Sequence, residues 1–276
     1  MLRRIVASPR SLVFLVALAV VAGPLTGVFA QQAGSESDPL VVVQSAEPTG
    51  LDPVVHREGP TYNVTENIFD SLLRKTPDGK DVPALAESYV HESDTSWLFH
   101  LRSGVVFQDG EPLIAEAVKY TIDQILNPAS KSTRAHDLGW VDHVQVVDNL
   151  TVRIVAKRPF PLADHYFTEF QIVPPVYRER VGALKFNEAP IGTGPYQLVR
   201  WDRGNRIILK RNDRYWRDPA PVQYVEFQFV NSAASRVATL LSGNADLIVD
   251  PPITATRQIN ANPRTRLASE TGTRVL

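Results

Sequence analysis

The strongest constraint on the fold is an alternation of strand and helix patterns after residue 40. Leu40–Val43 is a short apolar run that ends in the turn sequence Glu47–Gly50, as expected of a buried strand. Residues 61–73 carry apolar side chains at helical spacing, and residues 97–101 alternate as in a strand with one buried face. Because hairpin patterns interrupt any regular βαβ repeat, we expect a mixed α/β or α+β architecture.

The same patterns predict further elements, which follow here in chain order. They are a helix from Ile114 to Leu126, hairpin strands Val144–Val147 and Val152–Val155, strands Tyr196–Trp201, Arg206–Lys210 and Val222–Val230, and a short strand Asp246–Val249. Ser232 is placed to cap a helix that runs to about Ser242, and Gly243 to end it in the left-handed conformation. Ile114 offers no capping oxygen, so we expect the helix that follows it to begin uncapped at a cost of about 1 kcal/mol.

The first thirty residues have the three parts of a secretory signal. Arginines at positions 3, 4 and 10 are followed by the apolar run Leu12–Ala22, and Val28–Ala30 puts small residues at a peptidase site. An uncleaved anchor would need about 18 apolar residues, more than this run contains. We therefore predict a signal peptide over residues 1–30, a cut before Gln31, and export to the periplasm.

Composition excludes several classes of site. The chain has no cysteine, which excludes disulfides, thiolate metal sites, a cysteine nucleophile and a lipid-modified cysteine at the cleavage point. The predicted signal holds three arginines and no acid, so 26 of the 29 basic residues remain against 30 acidic ones, a net charge of −4. Because nucleic-acid binders are expected to be basic, we expect no nucleic-acid partner.

Seven motifs in a fixed order carry a resemblance to a known family. They are Leu51-Asp52-Pro53, ENIFDSLL (66–73), VPALAESY (82–89), WLFHLRSGVVFQDGEPL (97–113), PIGTGPYQLVRW (190–201), LKRNDRYW (209–216) and SGNADL (242–247). In this order they resemble the extracellular solute-binding proteins of the oligopeptide, dipeptide and nickel ABC importers. The resemblance runs from about residue 40 to the last residue and implies a monomer with an α/β, periplasmic-binding-protein-like fold.

The resemblance also implies a domain layout. A first lobe spans residues 40–249, with a mixed core sheet from 40–59 and 186–249 and an inserted α+β subdomain over 60–185. Residues 250–276 would begin a second lobe, holding a short helix and one strand. Because members of the family run close to twice this length, and because Arg274–Leu276 lies inside what looks like a strand, we expect a truncated chain with the second lobe largely missing.

The sequence Gly192-Thr193-Gly194 looks at first like a nucleotide loop. A phosphate-binding loop needs a lysine followed by serine or threonine, whereas Pro195-Tyr196 follows here, so we interpret the segment as a tight turn into a strand. By resemblance, this turn, the loop after the first strand and the region around Gln171 face the ligand. The candidate ligand residues are therefore Glu47, Thr49, Gly50, Gln171, Gly192, Thr193 and Gly194. The alternative that the glycines serve only the turn stays open.

The residue patterns provide little support for a catalytic site or a metal site. His136, Asp137 and His143 match no standard ligand spacing, and no G-x-S-x-G nucleophile elbow occurs. We expect no catalytic residue, metal or cofactor. The hypothesis favoured is a periplasmic binding protein that captures a small solute, a peptide above all, and delivers it to an ABC permease in the inner membrane. The alternatives are an exported hydrolase acting on a peptide or glycan, and a nickel-binding member of the same family.

Overall fold

The computed structural model describes residues 3–7 and 35–270, with the backbone alone at residues 3–7, 269 and 270. The strands are β1 (Arg3–Ala7), β2 (Leu40–Gln44), β3 (Leu73–Lys75), β4 (Asp81–Pro83), β5 (Ala86–Ser93), β6 (Ser96–Leu101), β7 (Val141–Asp148), β8 (Thr151–Ala156), β9 (Tyr196–Asp202), β10 (Arg206–Arg211), β11 (Tyr224–Phe229), β12 (Leu247–Val249) and β13 (Arg266–Glu270). The α-helices are α1 (Gly59–Thr65), α2 (Ala115–Leu126), α3 (Ala163–Phe167), α4 (Pro175–Val181), α5 (Ala183–Glu188), α6 (Ala233–Ser242) and α7 (Thr256–Ala261), with 3₁₀ turns at Pro128–Ser130 and Ile253–Ala255.

The chain forms two compact units. The larger unit consists of residues 47–201 and 209–220, and the smaller unit takes in the described parts of residues 1–46, 202–208 and 221–276. The resemblance predicts a first lobe with a core sheet from residues 40–59 and 186–249 and an inserted subdomain over 60–185. That division stays a prediction. The predicted strand at Arg274–Leu276 lies outside the described residues.

The smaller unit is built around the buried strand β2. β11 and β12 flank it in parallel, and β1 pairs antiparallel with both β12 and β13, which makes the sheet mixed. Val41 and Val43 of β2 pack with Val237 and Leu240 of α6, because a parallel strand at the centre of a sheet is covered by helices. β1 lies within the predicted signal peptide, so a processed chain would lack this strand.

Both ends of α6 confirm the predictions made for them. The Ser232 hydroxyl accepts a hydrogen bond from the N–H of Ser235, and Gly243 closes the helix at φ 81° and ψ 15°. The left-handed conformation at Gly243 is one that glycine adopts without steric cost. In the larger unit, α2 begins after Ile114 without a side-chain cap, again as expected.

The larger unit contains a four-stranded antiparallel sheet in the order β5-β6-β8-β7. Its β7–β8 hairpin confirms the predicted one, and β6 buries Trp97, Phe99 and Leu101 in alternation. Helix α2 packs against β7 and β8. Across the described residues, the helices are too short or too polar to span a bilayer.

The predicted helix over residues 61–73 is wrong beyond its first turn. Helix α1 ends at Thr65, and Leu73 begins the strand β3. The carbonyl oxygen of Ile68 accepts a 2.8 Å hydrogen bond from the N–H of Gly194 and therefore does not extend the helix. A contact with a distant part of the chain has thus overridden a helical periodicity.

Candidate functional site

The turn 192–194 packs closely against the backbone of Ile68. The Gly194 N–H donates to the Ile68 carbonyl, and the Gly192 N–H donates to Oε1 of Gln108 at 3.2 Å. A Cβ atom at Gly192 would lie 2.1 Å from the Ile68 oxygen, and one at Gly194 would lie 2.5 Å from the Ile68 carbonyl carbon. Since no side chain fits at either distance, close backbone packing accounts for both glycines.

Thr193, between the two glycines, has its side chain turned into a partly buried polar cluster. It is 1% exposed, and its hydroxyl donates a 2.9 Å hydrogen bond to Oδ2 of Asp70. Asp70 also accepts from the Tyr215 hydroxyl at 3.1 Å and from Nε1 of Trp216 at 2.9 Å. We call Asp70, Thr193, Tyr215 and Trp216 the Asp70 cluster. Burial raises the pKa of Asp70 above its usual range, although its three hydrogen bonds and the charge of Arg217 oppose that shift.

Gln171 lies next to the Asp70 cluster in the fold. It pairs with Ser71 in an antiparallel bridge, and the following N–H, of Ile172, donates to the backbone carbonyl of Asp70 at 2.9 Å. The structure thus brings both segments to Asp70, the segment of Gln171 to its backbone carbonyl and Thr193 to its carboxylate. The Gln171 side chain is 2% exposed, and neither its Oε1 nor its Nε2 has a hydrogen-bond partner among the described residues. A buried amide without partners is costly, by about 1–3 kcal/mol, so its hydrogen-bonding capacity is a notable feature of the site.

The loop Glu47–Gly50 is held by other partners within the larger unit. Oε1 of Glu47 accepts a 2.8 Å hydrogen bond from Nε1 of Trp201, and the exposed Thr49 hydroxyl lies 3.1 Å from Nδ1 of His56. A Cβ atom at Gly50 would lie 2.2 Å from Oδ1 of Asn187, so this glycine also marks a close approach. Of the seven candidates, Glu47 is half-buried and Thr49 exposed, while the other five are buried.

A buried ion pair fixes the end of the same loop. Asp52, in the Leu-Asp-Pro motif, accepts from Nη2 and Nε of Arg178 on α4 at 2.8 and 3.0 Å. Their side chains are 1% and 5% exposed. Nη1 of Arg178 donates to the Tyr120 hydroxyl at 3.2 Å, which adds a partner from α2. A buried charge is costly unless it keeps its counter-ion and its hydrogen bonds. Through Arg178 the loop at Asp52 is therefore held to both α4 and α2.

Asp70 is the residue of this region that the sequence analysis missed. It lies in the ENIFDSLL motif, between Ile68-Phe69 and Leu72-Leu73, all four of which are buried. An acid inside an apolar run is a signal for a buried polar cluster, since such an acid must find donors. Tyr215 and Trp216, from the motif LKRNDRYW, both donate hydrogen bonds to Asp70.

His136, Asp137 and His143, whose spacing matched no standard metal-ligand pattern, each have partners. Nε2 of His136 lies 3.0 Å from Oδ1 of Asp137, which also pairs with Arg57. His143, on β7, pairs with the neighbouring Asp142 at 2.8 Å. In the part of the chain that the structure describes, no three histidine, cysteine or acidic side chains are grouped so that they could hold a metal ion.

Comparison with known proteins identifies the family. The profile of the bacterial extracellular solute-binding proteins, family 5 (middle region), matches residues 80–276. The chain therefore belongs to this family, as the seven motifs predicted. It is a family of solute-binding proteins, which argues against the exported hydrolase considered from the sequence.

Individual relatives agree with the family. The chain is 27% identical over 255 residues to the glutathione-binding protein GsiB of Pectobacterium atrosepticum, covering 91% of this chain and 49% of that protein. It is 30% identical over 236 residues to protein XP55 of Streptomyces lividans, covering 82% of this chain and 42% of that protein. The chain thus spans about half the length of the curated relatives it matches.

Solved structures confirm the predicted fold class. The periplasmic binding protein AgaA of A. tumefaciens R10, in complex with agropinic acid, superimposes with a TM-score of 0.76 at 31% identity, covering 81% of this chain and 46% of AgaA. The oligopeptide-binding protein AppA of Bacillus subtilis, in complex with a nonapeptide, gives 0.74 at 22% identity, with coverages of 81% and 46%. The latter likeness shows the fold alone.

Proposed function

We propose that this chain carries the substrate-binding function of an ABC importer. It captures a small solute, a peptide above all, and delivers it to a permease in the inner membrane. The observation that carries the proposal is the family match over residues 80–276. The Asp70 cluster and the buried Asp52–Arg178 pair support it, because both hold candidate ligand segments in place, as a preorganised binding site requires.

A peptide is the solute class that the chemistry of the candidate residues favours. The Glu47 carboxylate suits a peptide amino group, and the Thr49 hydroxyl and the backbone at Gly50 suit peptide amides. Gln171 and the turn 192–194 are buried in this structure, and the contact with the ligand that the resemblance predicts for them stays a prediction. The names of the relatives agree with this class in part, since GsiB is named for glutathione, a peptide, whereas AgaA was solved with agropinic acid.

Capture follows a closure mechanism. A ligand that contacts two lobes stabilises their closed arrangement, and the permease responds to the closed shape. An enclosed site binds more tightly than a surface open to water, because it removes more of the ligand from water.

The experiment is calorimetric titration of the purified chain with glutathione, trialanine and nickel–histidine, with the ligands recovered and weighed by mass spectrometry. We expect the peptides to bind and to be recovered intact. Glu47→Gln should weaken peptide binding, while Glu179→Gln, at an exposed acid on α4, should leave it unchanged. Hydrolysed peptides would instead favour an exported enzyme, and tight binding of nickel–histidine alone would favour the nickel-carrying alternative.

We also propose that residues 1–30 are removed on export to the periplasm. N-terminal sequencing of protein recovered from that compartment should begin at or next to Gln31. A recovered form that still contains Leu12–Ala22 would contradict the proposal.

A further inference from the structure

A cavity of about 560 Å³ opens in the larger unit, and none of the candidate ligand residues lines it. Its lining residues are Glu87, Arg102, Ser103, Gly104, Val105, Trp216 and Arg217. A volume of this size falls within the range of about 300–1,000 Å³ found for small-molecule sites. The cavity therefore has room for more than a single inorganic ion.

Two arginines share one aromatic ring at this cavity. The guanidinium carbon of Arg102 lies 5.2 Å from the centroid of the Trp216 ring, and that of Arg217 lies 5.5 Å from it. A cation at these distances is attracted by the ring. Two positively charged groups therefore lie against the same ring at the wall of one cavity.

Hydrogen bonds to neighbouring residues fix two of these three side chains. Nε of Arg102 donates a 2.7 Å hydrogen bond to the carbonyl oxygen of Ala84, and Nε1 of Trp216 donates to Asp70. Arg102 and Trp216 are half-buried, whereas Arg217 is exposed and also interacts with the Tyr215 hydroxyl. An anchored guanidinium loses less conformational entropy on binding an anion than a mobile one does.

The charges at the cavity do not cancel. Within the described residues, neither Arg102 nor Arg217 has a carboxylate within 4.0 Å, and Glu87 is the one acid in the lining. Two guanidinium groups against one carboxylate leave the lining itself with a net positive charge, while the Asp70 carboxylate, hydrogen-bonded to Trp216, also interacts with Arg217. Guanidinium groups bind carboxylates and phosphates through charge-assisted, often bidentate hydrogen bonds.

We propose that this cavity is a second binding site, for a small organic oxyanion that carries carboxylate or phosphate groups. Arg102 and Arg217 provide the charge, Arg102 being the fixed contact and Arg217 the exposed one. Both guanidinium groups lie against the Trp216 ring. The proposal does not depend on the solute that the family site carries.

The test uses the purified chain with citrate as the probe, inorganic phosphate as the small-anion comparison and glycerol as the neutral control. Calorimetry measures affinity, and ¹H–¹⁵N NMR locates the site through the amides of residues 103–105 and the Trp216 indole. We expect saturable citrate binding with shifts at these positions, weaker phosphate binding and none by glycerol. Added salt should weaken binding, since the site is partly open to water.

Arginine variants decide between this site and general attraction to a basic surface. Arg102→Gln and Arg217→Gln should each weaken citrate binding, the former by roughly tenfold or more and the latter by about threefold. Arg180→Gln is the matched control, because Arg180 also stacks on a ring, that of Tyr177 at 5.3 Å, but lines no part of the cavity. Arg180→Gln should change affinity less than about twofold.

Three results would overturn the proposal. They are the absence of saturable citrate binding, equal losses in Arg217→Gln and Arg180→Gln, and NMR shifts that avoid residues 103–105 and Trp216. Phosphate binding as tight as that of citrate would overturn the assignment to an organic anion. Should Arg102→Gln fail to fold, the comparison of the exposed Arg217→Gln with Arg180→Gln still tests the site.

Discussion

The hydroxyl of Thr193 donates a 2.9 Å hydrogen bond to the Asp70 carboxylate, while the backbone carbonyl of Asp70 accepts from the N–H that follows Gln171. Two segments that are 22 residues apart in the sequence, at 171 and 193, are thus held by one half-buried acid. Asp70 is therefore the residue whose removal should most disturb this part of the molecule.

Replacing Asp70 with alanine should destabilise the protein by about 3 kcal/mol or more. The change removes the acceptor of three donors, the hydroxyl of the buried Thr193 and the donors of the half-buried Tyr215 and Trp216. Asp70→Asn is the matched variant, because its amide oxygen can keep two of the donors while the Tyr215 hydroxyl turns to accept from the amide NH₂. Urea unfolding should therefore show a much smaller loss for asparagine than for alanine, and equal losses would contradict the role given to the hydrogen bonds.

The raised pKa of Asp70 predicts a pH dependence of stability. The folded protein holds the Asp70 proton more tightly than the unfolded chain, in which the pKa is near 3.8. Its contribution is therefore fully present below the unfolded pKa and is lost as the pH rises through the higher, folded pKa. The unfolding free energy of the wild type minus that of Asp70→Asn should increase as the pH falls from about 7 to about 4. A difference that stayed constant or decreased would contradict the raised pKa.

Alanine at Gly192 or Gly194 should cost about 2 kcal/mol or more, because a Cβ atom would clash with the backbone of Ile68 and force the turn to move. Gly59→Ala is the control, since a Cβ atom there meets nothing within 4 Å. It should be neutral or stabilising by about 0.5 kcal/mol. The three variants can be compared by chemical unfolding, and tolerance of alanine at 192 would show that the turn packs less closely than described.

Breaking the Asp52–Arg178 pair should destabilise the protein strongly. Arg178→Gln leaves a carboxylate that is 1% exposed without its counter-ion, at a cost of about 3–5 kcal/mol. Arg153→Gln is the comparison, because Arg153 pairs with Glu92 on the exposed side of the four-stranded sheet. Arg153→Gln should lose far less stability in thermal unfolding than Arg178→Gln does. Similar losses of stability in both variants would mean that burial does not set the strength of these pairs.

Local patterns were sufficient wherever the structure is determined by neighbouring residues. The alternation at residues 97–101, the hairpin around Asp148-Asn149 and the two ends of α6 were all predicted and confirmed. The helix over 61–73 failed because the carbonyl of Ile68 bonds to Gly194, more than a hundred residues away. Nothing in a local window contains that information.

The candidate site was predictable in its segments but not in its contacts. The resemblance indicated residues 47–50, 171 and 192–194, and their role in binding stays a prediction. That the Thr193 hydroxyl bonds to Asp70, and that Gln171 has a buried amide, depends on the distant residues Asp70 and Ser71. A single sequence does not pair such residues, although the acid inside ENIFDSLL was a usable sign.

Native mass spectrometry tests the central claim, solute binding, most directly. The protein would be recovered from the periplasm of cells grown on a peptide-rich medium and sprayed without ligand exchange. We expect a fraction of the protein to carry one added mass that corresponds to an intact peptide, and we expect this fraction to be reduced in Glu47→Gln and unchanged in Glu179→Gln. Protein that carries no added mass under these conditions, and that cleaves the peptides supplied to it, would show that this chain is not a solute-binding protein.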